Sequence, residues 1–334
     1  MMDRLHRRLF LSIAAASLGA PARISHASAW PTRPVRLVVP FPKGGGVGLI
    51  AGLITPGLGQ AFGVPFEIDY LPGEGGNVGT AAVARAAPDG HTLLMCSTGS
   101  QAVSRSLYAN LPFDPIKDFT AITLVSEEPN ALVLHPGSAS RLQVTTLADF
   151  VRVAPRVAEP LRMASSGVGG SPHLSGELFK SMTDAKFTHV PYAGTGPAKV
   201  DLLAGKVDLM FEPVNTSMAS IRAGQLVALG VTSSTRSMAM LELPTLAEAG
   251  GPLLAGYEAT VWFGLVAPAG TPLDIVGRLQ SETARILRVD SVRKALLAQG
   301  SIPSGMSSSA FARMIQSETH KWARIVKLSG ARAS

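Results

Sequence analysis

Val35-Arg36-Leu37-Val38-Val39-Pro40-Phe41-Pro42-Lys43-Gly44-Gly45-Gly46-Val47 is a short apolar run that breaks into three successive glycines. The chain repeats the arrangement at Leu161-Arg162-Met163-Ala164-Ser165-Ser166-Gly167-Val168-Gly169-Gly170-Ser171. A near-continuous apolar run of this length reads as a strand buried in a parallel sheet. The segment after each turn reads as a helix. A glycine turn between strand and helix leaves backbone N–H groups and a helix N-terminus aimed at one point, a site for an anion that needs no basic side chain. Two such turns predict two α/β domains closing on one carboxylate, an arrangement suited to binding more than to catalysis.

Outward from these turns the chain alternates strand and helix. Val47 to Phe62 reads as a helix weakened by Gly52, Pro56, Gly57 and Gly59, Pro65 to Tyr70 as a strand, Gly75 to Ala87 as a helix and Thr92 to Cys96 as a strand. That spacing predicts right-handed βαβ units around a mainly parallel sheet flanked by helices. Ala121 to Val125 and Ala131 to Leu134 read as two strands separated by the polar stretch Ser126-Glu127-Glu128-Pro129-Asn130. The pattern then repeats: helix from Pro172 to Met182, strands at Thr188 to Tyr192 and Val207 to Phe211, helix from Pro197 to Ala204 between them, and a later strand from Thr260 to Val266. Helices from Pro272 to Leu287, Val289 to Gln299 and Ser308 to Leu328 finish the chain. Residues 30–125 and 257–334 are expected to form one domain, with 126–256 inserted as the other.

The first 29 residues read as an export signal. Arg4, Arg7 and Arg8 precede an apolar core from Leu9 to Ala20 that is too short to span a bilayer, and Ala27-Ser28-Ala29 fits small-residue cleavage before Trp30. Arg7-Arg8-Leu9-Phe10-Leu11 also fits a twin-arginine signal, so the Sec and twin-arginine routes both stay open. The expected product is a periplasmic protein that is not embedded in the membrane. Losing four arginines and one aspartate with this segment lowers the formal charge from +7 to +4. The remaining basic residues are scattered, which argues against nucleic acid as a partner. Cys96 is the single cysteine, so neither a disulfide framework nor a zinc constellation is expected.

Catalytic patterns are sparse. There is no G-x-S-x-G, H-E-x-x-H or Walker sequence, and the spacing after Gly44-Gly45-Gly46 fails a dinucleotide fingerprint, so no cofactor is expected. His91, His135, His173, His189 and His320 show no metal-ligand spacing. His173, beside the second glycine turn, is a candidate ligand contact, and a base only if it pairs with Cys96 or a serine in a periplasmic hydrolase. Thr98, Gly99, Ser100 and Gln101 follow the third strand, where ligands bind in open α/β sheets. Ser165, Ser166, Gly167, Gly169 and Ser171 hold the equivalent place in the second domain, either as donors to an anion or as helix caps. Phe41, Lys43, Gly44, Gly45, Gly46 and Val47 form the first candidate wall, with Tyr192 and Glu212 at later strand ends.

The segments Pro31 to Phe41, Gly44-Gly45-Gly46, Pro72-Gly73-Glu74-Gly75-Gly76-Asn77-Val78-Gly79, Ala87-Pro88-Asp89-Gly90-His91-Thr92-Leu93-Leu94 and Leu111-Pro112-Phe113-Asp114-Pro115 resemble the Bug (TctC-like) receptors. These are the periplasmic solute-binding components associated with tripartite tricarboxylate transporters. The likeness continues through His173 to Phe179, His189-Val190-Pro191-Tyr192, Trp262-Phe263-Gly264 and Ala267 to Pro272, across essentially all of residues 30–334. It implies a two-domain periplasmic-binding-protein (Venus-flytrap) fold whose first domain is completed by the C-terminal segment. It also implies a ligand carboxylate held by backbone N–H groups of the two glycine loops, with a membrane transporter or a sensor kinase as partner.

The chain departs from the family at the first loop. Val47-Gly48 stands where Thr-Asp is usual, Gly52 where an arginine is expected, and Tyr70-Leu71 where Asn-Arg is usual. Val168, Gly170 and Pro172 replace polar residues of the second loop, and Glu212 stands where aspartate is commoner. Fewer donors at these places predict a preference for an apolar monocarboxylate over citrate.

Overall fold

The computed structural model describes residues 30–332, so the segment 1–29 read as an export signal lies outside the described residues. Strands β1 (Val35–Val39), β2 (Phe66–Tyr70) and β3 (Thr92–Ser97) form a parallel set in the order β2-β1-β3. The helix Gly46–Phe62 follows β1 and buries Val47, Ile50, Ala51, Ile54 and Leu58 against the sheet. Its glycines and Pro56 make it a poor helix in isolation, so packing sustains it. Gly57 is part of that packing: a Cβ there would lie 2.9 Å from Ile286 in the helix Leu273–Leu287.

The two segments read as separate strands on either side of Ser126–Asn130 are one strand, β4 (Phe119–Leu134). In its polar middle Ser126 and Asn130 are wholly inaccessible and Glu127 and Glu128 partly buried, and it runs on from one half of the sheet into the other. Strands β5 (Leu161–Ser165), β6 (Phe187–Pro191), β7 (Leu209–Pro213) and β8 (Val227–Val231) belong to the second half. Strands β9 (Thr260–Pro268) and β10 (Ile302–Pro303) return to the first. The order is β2-β1-β3-β9-β4-β7-β5-β6, with β8 and β10 also paired to β4. Up to Pro129 the strand pairs with β9, and from Asn130 it pairs with β7. Proline lacks an N–H and is tolerated where the ladder changes partner.

The expected parallel units therefore sit at the two flanks, and antiparallel ladders around β4 and β9 join them into one mixed sheet with helices on its faces. The C-terminal helix Ser308–Ser329 packs on β4 and the turn after β3, and also reaches the helix Ser171–Thr183 of the other half. It bridges the two lobes.

At the crossing, Glu127 lies opposite Trp262 and faces Glu258, Glu318 and Lys321. Burial pushes its carboxyl up to about 7, the two neighbouring carboxylates add to this, and Lys321 partly offsets it. A folded-state pKa above the unfolded one means that the native state binds the extra proton. Stability is then lost as pH rises from the ordinary glutamate range through about 7. Glu127→Gln is expected to stabilise the protein by roughly 1–3 kcal/mol at pH 8 and hardly at all near pH 4. Thermal unfolding of both proteins across that range checks the sign.

Candidate functional site

The first glycine turn leaves β1 and enters the helix Gly46–Phe62 with Gly45 at the N-cap. Gly45 donates its N–H to the Pro42 carbonyl at 3.3 Å, and Leu49 closes the first helical bond to Gly45 at 3.1 Å. The intervening N–H groups of Gly46, Val47 and Gly48 have no intrahelical partner, and no acidic residue occupies the first turn. This is favourable ground for an anion. Around it, Lys43 and Gly44 are exposed, Phe41 packs its ring edge over Gly76, and the Val47 side chain is buried in the core. Two of the sequence departures prove to be one packing solution. A Cβ on Gly48 would lie 2.9 Å from the Tyr70 ring and 3.2 Å from its hydroxyl, so the tyrosine occupies the room a side chain at 48 would need.

The turn after β3 is more self-satisfied than its composition suggests. The Ser100 hydroxyl accepts from the Ser97 N–H at 3.1 Å and donates to the Ser97 carbonyl at 3.3 Å. Gln101 is wholly buried and gives its amide to the Pro115 carbonyl. Both brace the turn. Thr98 accepts from the Trp262 N–H of β9 at 2.8 Å, and with Gly99 it lines an interlobe cavity.

The second turn is held by a pair of histidines. Ser165 lies 2.6 Å from His189 Nε2 and accepts from the Gly167 N–H at 3.1 Å. Gly169 donates its N–H to His173 Nδ1 at 3.0 Å, which leaves the His173 proton on Nε2. The two imidazoles stack with centroids 3.8 Å apart and planes 9° from parallel. Burial, then His189 and Lys180, push His173 down to about 3, and burial lowers His189 as well. Both rings are neutral, and His173 positions the loop. Burial pushes the Cys96 thiol up to about 12, so the Cys96–His173 dyad has neither a thiolate nor an uncommitted base.

Ser171 opens the helix Ser171–Thr183. Its hydroxyl accepts from the Asn130 side-chain amide at 2.7 Å, and the same amide reaches Ser175 at 3.1 Å. Asn130 escaped the sequence reading because it stood in a stretch read as a turn; nothing local marks it as a support for Ser171. Tyr192 donates its N–H to the Ser165 carbonyl at 3.0 Å and its hydroxyl to Asp201 at 3.0 Å, bracing the end of β5 from the side. Glu212 is fully buried, neither carboxylate oxygen has a hydrogen-bond partner, and Lys199 stands 3.6 Å away. Burial raises its carboxyl.

Between the lobes lies a cavity of about 120 Å³. Thr98 and Gly99 face it from one lobe, Gly169, Gly170 and Ser171 from the other, and Val103, Leu174, Val261 and Trp322 close it. The lobes touch here: Gly169 has a left-handed φ of +75°, and any Cβ on it would overlap the Leu107 side chain. The structure thus brings Thr98, Gly99, Gly169 and Ser171 to one cavity. Ser166 and Gly167 belong to the same loop without lining it, and Phe41 to Val47, Ser100, Gln101, His173, Tyr192 and Glu212 do not line it either. Larger surface hollows of about 500 and 640 Å³ lie away from both turns. Among the described residues no helix is long and apolar enough to cross a membrane.

Comparison with known proteins agrees with this architecture. The chain is 37% identical over 320 residues to a protein of Pseudomonas sp. (strain P51) described as "UPF0065 protein in tcbD-tcbE intergenic region", covering 96% of this chain and 93% of that one. It superposes on R. palustris Rpa4515 with adipate at a TM-score of 0.74 and 37% identity, over 91% of this chain and 99% of that one. It superposes on MatC of Rhodopseudomonas palustris with bound malate at 0.70 and 33% identity, over 89% and 99%. The family model described as "Tripartite tricarboxylate transporter family receptor" matches residues 50–331, a span that includes the second glycine turn: the chain belongs to the TctC family of solute-binding receptors.

Proposed function

We propose that this protein is a periplasmic receptor that captures a small carboxylate between its lobes and delivers it to a membrane transporter. The observation that carries this reading is the pair of strand–glycine–helix turns. Each presents uncommitted first-turn N–H groups, and hydroxyls of Thr98 and Ser171 meet between the lobes. Such donors suit an acceptor-only anion, and each hydrogen bond to a charged group contributes roughly 1.5–3 kcal/mol when water is excluded. The similar proteins with adipate and with malate support a carboxylate as the ligand class. In this reading, residues 30–125 and 257–334 form one closing lobe and 126–256 the other. The first turn, Phe41 to Val47, swings onto the ligand when the lobes close about β4.

Native mass spectrometry of freshly purified protein is expected to show a bound small acid that is released unchanged on denaturation. Calorimetry with adipate, malate and short monocarboxylates then ranks candidates. A protein that carries no acid and binds none of these, or that consumes the acid it carries, is not a carboxylate receptor.

A further inference from the structure

The interlobe cavity has two chemically distinct ends. Thr98 Oγ1 accepts the Trp262 N–H at 2.8 Å and Ser171 Oγ accepts the Asn130 amide at 2.7 Å. Neither hydroxyl donates to a protein acceptor among the described residues, so each keeps its hydrogen for something else. They come from opposite lobes. A carboxylate, which only accepts, completes both.

The rest of the wall offers no such partner. Val103, Leu174, Val261 and Trp322 are apolar toward the cavity, and the Trp322 indole N–H is committed to Glu318 at 2.8 Å. Thr260 adds one neutral hydroxyl, and no cationic side chain lines the space. Lys321, the cation nearest in sequence to Trp322, is paired with Glu318 and donates to the Glu258 carbonyl.

We infer that this cavity takes the uncharged hydrocarbon body of a monocarboxylate, whose charged end lies against Thr98 and Ser171, with Leu174, Val261 and Trp322 setting the length accepted. The inference rests on the carboxylate reading above and narrows it. A second carboxylate pushed into the apolar end would lose its water and find no cationic side chain to replace it. The volume sets a size. A cavity of about 120 Å³ is somewhat smaller than the apolar cavity of about 150 Å³ known to take benzene, which leaves room for roughly five or six non-hydrogen atoms, the carboxyl group included, and so for about two or three carbons beyond it.

The test is calorimetry on the mature protein with straight-chain monocarboxylates from acetate to octanoate, set against α,ω-dicarboxylates of equal length. Affinity is expected to rise about fourfold per added methylene until the cavity is full, and then fall. Each dicarboxylate is expected to bind at least tenfold more weakly than its monocarboxylate counterpart. Val261→Phe, at a partly buried position, moves the optimum to shorter acids by about one carbon. Leu174→Ala moves it to longer ones, and if that variant does not fold, Val261→Phe alone decides. Dicarboxylates binding as tightly as monocarboxylates, or an unchanged optimum in the folded variants, overturns this inference and leaves the carboxylate reading standing. Binding of neither series overturns both.

Discussion

Asn130→Asp is expected to weaken carboxylate binding at pH 8 by a hundredfold or more, about 2.7 kcal/mol, with little change in the shape of the fold. Asn130 is wholly buried at the point where β4 passes between the lobes, and its amide N–H groups are shared between Ser171 and Ser175. A carboxylate of the same size can only accept, so the Ser171 hydroxyl must turn its hydrogen inward and is lost to the ligand. The new negative charge also repels the ligand across a short, poorly hydrated distance. Burying that charge costs stability as well, about 2–4 kcal/mol at pH 8. Both losses shrink toward pH 5, where a buried carboxyl takes up a proton and regains a donor. Calorimetry and urea unfolding at the two pH values separate the effects. A folded variant with parental affinity means that the Ser171 hydroxyl is not given to the ligand.

Gly45→Val addresses the first turn, and a loss of about a hundredfold is expected with the fold intact. Gly45 has an ordinary negative φ of −78°, and the nearest atom to an added Cβ is the Pro42 carbonyl oxygen at 3.5 Å, ordinary contact. The position is exposed. Stability should therefore fall only by the cost of a poorer N-cap, about 0.5–1 kcal/mol. Valine, however, places two methyl groups beside the N–H groups of Gly46, Val47 and Gly48. The loss of two charge-assisted hydrogen bonds at about 1.5 kcal/mol each accounts for the expected weakening. Unchanged affinity would confine the site to the cavity between Thr98 and Ser171 and remove the first turn from it.

The parts of this protein legible in the linear chain are those governed by local rules. Apolar runs marked β1, β3, β5 and β7, because a strand covered on both faces needs no polar alternation. Successive glycines marked the two turns, because the chain there must bend and expose its backbone. The order of family motifs marked the two-lobed fold. Other features had no local signature. Ser126 to Asn130 looks like a turn, yet it is strand, held by partners far along the chain: the Asn130 N–H donates to the Thr232 hydroxyl and the Glu128 carboxylate accepts from Ser301.

The same distinction separates the candidate site residues. Ser100, Gln101, Thr98 and Ser171 are all small polar groups beside a strand end and are indistinguishable in sequence. Ser97 and Pro115 consume the first two, whereas Trp262 and Asn130 occupy the acceptor side of the others and leave them a hydrogen to give. His173 and His189 are an ordinary helix residue and an ordinary strand residue until β5 and β6 bring their rings together. Periodicity and glycine content act through the backbone of neighbouring residues, so the sequence alone determined where the turns lie. The donor left free on a side chain depends on partners brought from dozens of residues away, and that only the tertiary structure decided.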